Sequence, residues 1–248
     1  MNRLIRTELL KQRTTRTFTA ALAAVPVVAG LVVVASFSAA GKQGNEPLGP
    51  DHLLQAVGAP ASVVTLIALL LGVLGTAGEY RHQTITTTFL GSPRRRQVVV
   101  AKLAVHALVG AALGVLSVAV STAVALPWLR SGGIPVELSG DVLRVGAGLV
   151  LSAALYGALG VSVGALVRNQ TTAVAVVLVW LLAVEGLVGD VFAGSGIVHW
   201  LPAAAGRALV HGASGDGLSA PLAAALFATY VVVLAVAAVR FTVRRDVT

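Results

Sequence analysis

The chain has 248 residues, of which 56% are hydrophobic and 11% charged. Soluble domains carry about 25% charged residues, so a water-soluble fold is excluded and lipid must be the solvent for much of this one. The net charge of +8 sits in short connectors, which points to membrane orientation rather than nucleic-acid binding, and the lack of cysteine excludes disulfides and thiolate metal sites.

Residues 1–17 are basic, with Arg3, Arg6, Lys11, Arg13 and Arg16 against Glu8. They predict an amphipathic helix on the membrane surface with Leu4, Ile5, Leu9 and Leu10 as its apolar positions, although these four do not fall on one stripe. A first span follows at about 18–40. It is longer than the ~7–15 residues of a signal-peptide core, so an uncleaved span containing Pro26 is expected.

A Gly-, Pro- and Asn-rich loop over 41–58 leads to a second span at about 59–78. Then comes a polar passage, residues 79–96, between two apolar neighbours. Ser92-Pro93 is a helix-start signal, because Ser can cap and Pro fits the first helical position. The third span is expected at 97–126, with Pro127 opening an outer loop that runs to Asp141. The fourth is expected at 142–167, a tight turn at Arg168-Asn169-Gln170 follows, and the fifth is expected at 171–187. The connection over 189–220 is too apolar near Ile197 to Leu201 for a solvated loop, so short interfacial helices are expected there with Trp200 as an anchor. The sixth span is expected at 221–239, followed by a basic tail.

This is an all-α, six-span, single-domain membrane protein with both termini on one side. Arg3, Arg6, Lys11, Arg13, Arg16, Arg81, Arg94, Arg95, Arg96, Lys102, Arg168, Arg240, Arg244 and Arg245 fall on the termini side. Only Lys42, Arg130, Arg144 and Arg207 fall on the other. The positive-inside rule therefore puts the termini in the cytoplasm. Arg far outnumbers Lys among abundant Ala, Val and Gly, a composition that fits a GC-rich bacterium and hence a bacterial plasma membrane.

No nucleotide-binding motif occurs, since none of Lys11, Lys42 and Lys102 follows a phosphate-cradling glycine loop. No enzyme activity or metal site is expected in the chain itself. Gly212-Ala213-Ser214-Gly215 has a protease-like G-x-S-G spacing, but Ser214 lies in a polar connector and the last span has no His base. His199, His211 and Asp216 lack metal-ligand spacing. Gly110/Gly114 and Gly160/Gly164 are small-residue ridges that permit close helix approach. His106 is one turn after Lys102 and has no partner carboxylate within a span. Glu185 and Asp190, with Trp200, sit at the outer side as gate residues or as solvated ends.

The passage Glu79-Tyr80-Arg81-His82-Gln83-Thr84-Ile85, with Leu90, Pro93, Arg96 and Ala101-Lys102-Leu103, resembles the type-2 ABC exporter permeases and their E-x-R-x-G-T, P-x-x-R and A-K pattern. The N-terminal E-L-L-K and the six spans extend the resemblance over nearly the whole chain. Gln83 departs from it, standing where the family usually has Gly. The resemblance implies a pair of permeases, a homodimer or two similar chains, bound to an ABC ATPase subunit that holds ATP and Mg. Glu79, Tyr80, Arg81, Thr84, Ile85 and Phe89 would form the coupling helix. Arg94, Arg95, Arg96 and Lys102 would face lipid headgroups or ATPase carboxylates. The cargo expected is hydrophobic or amphipathic: a drug, antibiotic, peptide or lipid-like molecule. An ion-gradient-driven carrier and a non-transporting sensor or immunity protein are the alternative readings.

Overall fold

The computed structural model describes residues 2–40, 42, 47–81, 95–192, 194–212 and 217–244. These form ten α-helices: α1 (Asn2–Thr14), α2 (Arg16–Ala39), α3 (His52–Gly58), α4 (Ala61–Arg81), α5 (Arg95–Ser131), α6 (Gly140–Val167), α7 (Gln170–Val179), α8 (Glu185–Val191), α9 (Pro202–His211) and α10 (Ala220–Arg244). A π-helical turn (Trp180–Val184) joins α7 to α8, and a 3-10 turn (Gly196–Trp200) precedes α9. Six segments are long and apolar enough to cross a membrane: Arg16–Ala39, His52–Arg81, Arg96–Ser131, Gly140–Val167, Gln170–Val191 and Ala220–Phe241.

The spans do not bury equally. In the second and fourth, 61% of the most apolar window is buried, against 22%, 17% and 22% in the first, fifth and sixth. α4 and α6 are thus the centre of the bundle. α2 buries one stripe, Ala21, Val25, Ala29, Val33 and Phe37, spaced one helical turn apart. Its other face exposes Val27 and Leu31, as lipid requires. One apolar core joins α2 to α6, and a second joins α4, α6, α7, α9 and α10 around Phe227 and Tyr156.

Glycine makes the central packing close. A Cβ on Gly160 would overlap the Leu69 carbonyl oxygen, and one on Gly72 would overlap that of Gly157. Gly110 faces Ala153 O in the same way, and Gly114 faces the Val150 Cα. Both ridges seen in the sequence are therefore used, Gly110/Gly114 between α5 and α6 and Gly160/Gly164 between α6 and α4.

Several expected boundaries shift, for tertiary reasons. α5 runs through Pro127 to Ser131. The proline forfeits one helical hydrogen bond, but the turn it sits in is packed, with Trp128 edge-on to Phe37 at 5.8 Å and Leu129 fully buried. At ~1.5 Å per residue this helix is roughly 55 Å long, against a hydrocarbon layer of ~30 Å, so it extends beyond the membrane. The expected loop over 41–58 contains α3, whose Leu53, Ala56 and Val57 join the core. α4 continues to Arg81 rather than stopping at 78. The expected short helices of the connection over 189–220 are present as the 3-10 turn and α9.

Alternating spans put the start of α2, the end of α4, the starts of α5 and α7 and the ends of α6 and α10 at one end of the bundle. Contacts between α4, α7, α6 and α10 at this termini end confirm it: Arg81 Nη1 donates to Gln170 Oε1 (3.4 Å), and Arg168 Nη2 donates to the Phe241 carbonyl (3.1 Å).

Candidate functional site

α1 turns a polar face inward. Its buried positions are Glu8 and Gln12, one turn apart, while Leu10 is 63% exposed and Ile5 and Leu9 pack only partly against the core. The apolar residues of α1 therefore do not define its inner side. What holds it is charge.

Four ionised side chains meet at the termini end. Lys102 Nζ on α5 donates to Glu8 Oε2 (2.8 Å) and to Glu79 Oε1 on α4 (2.7 Å). Lys11 Nζ donates to Glu8 Oε1 (3.1 Å) and to Glu79 Oε1 (3.0 Å). The side chains of Lys102 and Glu8 are only 3% and 4% exposed, and that of Glu79 is 12%. The two acids and two bases pair with one another, which is the condition for burying charge at this depth. It ties the surface helix, the end of the second span and the start of the third into one node.

His106 extends the node one turn deeper. Its Nδ1 lies 2.8 Å from the Lys102 carbonyl oxygen and its Nε2 lies 2.8 Å from Gln12 Nε2. A carbonyl only accepts, so Nδ1 carries the proton, and Nε2 accepts from the Gln12 amide. Gly75 leaves room for the ring, since a Cβ there would overlap His106 Nε2. A cavity of about 480 Å³ lies beside the node, lined among others by Glu8, Lys11, Gln12, Gly75 and Glu79.

The charges set a pH response. Burial alone would raise the Glu8 carboxyl, but Lys102 and Lys11 outweigh it and hold the group below its usual 4.5. Burial would likewise lower the Lys11 amine, but Glu79 and Glu8 raise it above 10.5. A lowered acid contributes stability that is complete above its unfolded value and is lost as pH falls through its folded value. A raised amine contributes below pH 10.5 and loses that contribution as pH rises through its folded value. Thermal stability is therefore expected to fall below about pH 4.5 in the native chain. Glu8→Gln should unfold earlier at pH 7 and show a shallower acid loss; a parallel acid profile would exclude Glu8 as the titrating group.

The family model for ABC-2 family transporter proteins matches residues 4–186, from α1 through the start of α8. The chain belongs to the ABC-2 transporter family. No curated protein matches it. It is a multi-pass membrane permease of the ABC transport type, and permeases of this family generally work with an ATPase partner.

The residues expected at the ABC-2 permease's coupling region divide three ways. Glu79, Tyr80 and Arg81 form the last turn of α4, not the start of a separate helix. Glu79 faces the node, Tyr80 lies under the Arg168 guanidinium (5.5 Å to the ring centre) and Arg81 is exposed beside Gln170. Gln83, Thr84, Ile85, Phe89, Ser92, Pro93 and Arg94 lie outside the described residues. Arg95 opens α5 and Arg96 is exposed on it. Lys102 departs from the expectation of a headgroup-facing residue, being 2% exposed with both of its named acid partners inside the protein.

The gate candidates Glu185, Asp190 and Trp200 differ in exposure. Glu185, expected as a gate residue or a solvated end, is buried; Oε1 accepts from Trp180 Nε1 and Oε2 from the Ala203 amide, both at 2.9 Å. It thereby caps α9 from another helix and fastens the π turn to it. Asp190 is exposed. Trp200 is 52% exposed, and its carbonyl accepts from the Tyr230 hydroxyl at 2.6 Å. His199 lies in the 3-10 turn and His211 ends α9, where burial and the neighbouring Arg207 cation lower its pKa.

Glu8, Lys11 and Gln12 were not singled out by sequence as site residues. The signal for them was local: Glu8 and Gln12, like Lys102 and His106, are four apart and so share a helix face.

Proposed function

We propose that this permease is the membrane subunit of an ATP-driven exporter in a bacterial plasma membrane, with its termini in the cytoplasm and a second permease copy as its pair. ATP and Mg are bound by the partner ATPase, and the chain itself performs no hydrolysis. The observation that carries this reading is the buried node of Glu8, Lys11, Glu79 and Lys102. It clamps together the two helices that residues 82–94 connect, and adds the surface helix to them. An ATPase pushing on that connection moves α1, α4 and α5 as one body, because separating them would strand buried charge. The centrality of α4 then carries the motion to α6 and the rest of the bundle. A cargo with apolar surface suits spans whose outward faces are aliphatic.

Arg81 and Arg96 are the exposed cations flanking the connection, so they test the docking without breaking the node. In a reconstituted complex with its ATPase, the Arg81→Glu/Arg96→Glu chain is expected to lose the larger part of permease-stimulated ATP hydrolysis, with an unchanged unfolding temperature. Full stimulation by that variant would remove the coupling assignment.

A further inference from the structure

A second cavity, of about 380 Å³, lies at the end of the bundle opposite the ion node, between the start of α4, the middle of α6, the π turn and α9. That volume is at the lower end of the ~300–1,000 Å³ typical of small-molecule sites. Its lining includes the aliphatic side chains of Leu66, Leu181, Leu182 and Val210 and the polar ones of Arg207, His211, Tyr156 and Ser152.

The polar lining has hydrogen-bonding capacity left over. Ser162 and Thr65 spend their hydroxyls on carbonyls of their own helices, whereas the Ser152 hydroxyl, on a residue 1% exposed, has no hydrogen-bond partner among the described residues. The Tyr156 ring stacks edge-on against Phe227 at 4.7 Å and abuts Gly206, which puts its hydroxyl next to the residue preceding Arg207. Arg207 acts electrostatically on Tyr156, Glu185 and His211, yet no carboxylate of the described residues is within ion-pair distance of it. Glu185, the acid in that group, has its oxygens engaged by Trp180 and Ala203. Burial and Arg207 lower the His211 pKa, and Arg207 carries the guanidinium among the described residues of the lining.

We propose that this cavity binds an amphipathic anion, its acid group on Arg207 with the Tyr156 and Ser152 hydroxyls donating to it, and its apolar body along Leu66, Leu181 and Leu182. A guanidinium offers a carboxylate or phosphate two parallel donors, and a buried hydroxyl without a partner is stabilised by gaining an acceptor. The aliphatic lining and the guanidinium together favour such a molecule over neutral lipophiles and small inorganic anions. That the occupant is transported cargo rests on the exporter reading; that the site binds it does not.

The test uses the full chain in phosphatidylcholine nanodiscs with 11-(dansylamino)undecanoate as probe, read by energy transfer from tryptophan, Trp180 being adjacent to Leu181. The acid is expected to bind saturably and its uncharged primary amide at least about tenfold more weakly. Arg207→Gln should abolish that preference and Arg207→Lys should retain most of it, which separates lost charge from lost fold. Ser152→Ala should weaken the acid severalfold and leave the amide unchanged. Nanodiscs of phosphatidylglycerol distinguish the source of the acid group: competition assigns the site to a lipid headgroup, and unchanged binding to a free amphiphile. Equal binding of acid and amide, or an Arg207→Gln chain with native preference, overturns the site. Loss of ATPase coupling alone overturns the exporter reading and leaves this binding result standing.

Discussion

Lys102→Met is expected to lower the unfolding temperature of the permease by roughly 6–20 °C. The substitution keeps the length of the side chain and removes its charge. Glu8 then keeps one of its two named cation partners, Lys11, at a position only 3% exposed. Breaking a buried pair from one side costs about 3–5 kcal/mol, and each kcal/mol moves the midpoint of a chain this size by about 2–4 °C. The second half of the prediction separates charge from packing. Glu8→Gln added to Lys102→Met removes the carboxylate that lost a cation and leaves the Lys11–Glu79 contact in place, so the double variant is expected to be more stable than Lys102→Met alone. Thermal unfolding of the purified chain in detergent reads both, and additive losses would show that the four groups do not act as one cluster.

The same chemical change at two glycines of neighbouring helices is expected to have opposite signs. Gly160→Ala pushes a methyl into the Leu69 carbonyl, with the Val73 amide nitrogen at 2.9 Å and the Leu69 carbonyl carbon at 3.0 Å. All three are backbone atoms of α4, so no side chain can swing away, and α4 and α6 must separate. Overpacking of this kind costs about 1–3 kcal/mol or more. Gly78→Ala meets no described residue within 4 Å, and alanine is favoured over glycine in a helix by about 0.8–1 kcal/mol. Gly160→Ala should therefore unfold several degrees earlier than the native chain and Gly78→Ala slightly later. Equal shifts for both would contradict the close α4–α6 approach.

Much of the architecture is legible in the sequence because the signal is local. Each span is a contiguous run whose apolarity needs no knowledge of its neighbours, and Ser139 and Asn169 mark helix starts by capping the amides of Val142 and Thr172. The errors came at ends, where a partner decides. Pro127 reads as a stop, yet Trp128 and Leu129 pack well enough to carry α5 past it. Gly72, Gly75 and Gly78 are the same residue at successive turns of α4, but Gly72 meets the backbone of α6, Gly75 meets the His106 ring and Gly78 meets no described residue.

The site was legible in its residues and illegible in its geometry. Glu79 and Lys102 stood out as polar residues between apolar runs, and both were expected to turn outward, toward an ATPase or toward lipid. Glu8 is 94 residues from Lys102, and Lys11 is 68 from Glu79. Nothing in a window of the chain records such pairings.

The sequence by itself determined that this is a six-span membrane protein and which connectors hold its positive charge, since hydropathy and charge bias sum over neighbouring residues. Only the tertiary structure decided that Glu8, Lys11, Glu79 and Lys102 pair with one another inside the protein, that Glu185 caps α9, and that Arg207 shares a cavity with aliphatic side chains. The reason is the long reach of the stakes: whether a charge can be buried depends on the counter-charges brought to it, and those are set by packing α4 against α6 through glycine, not by the residues on either side of it in the chain.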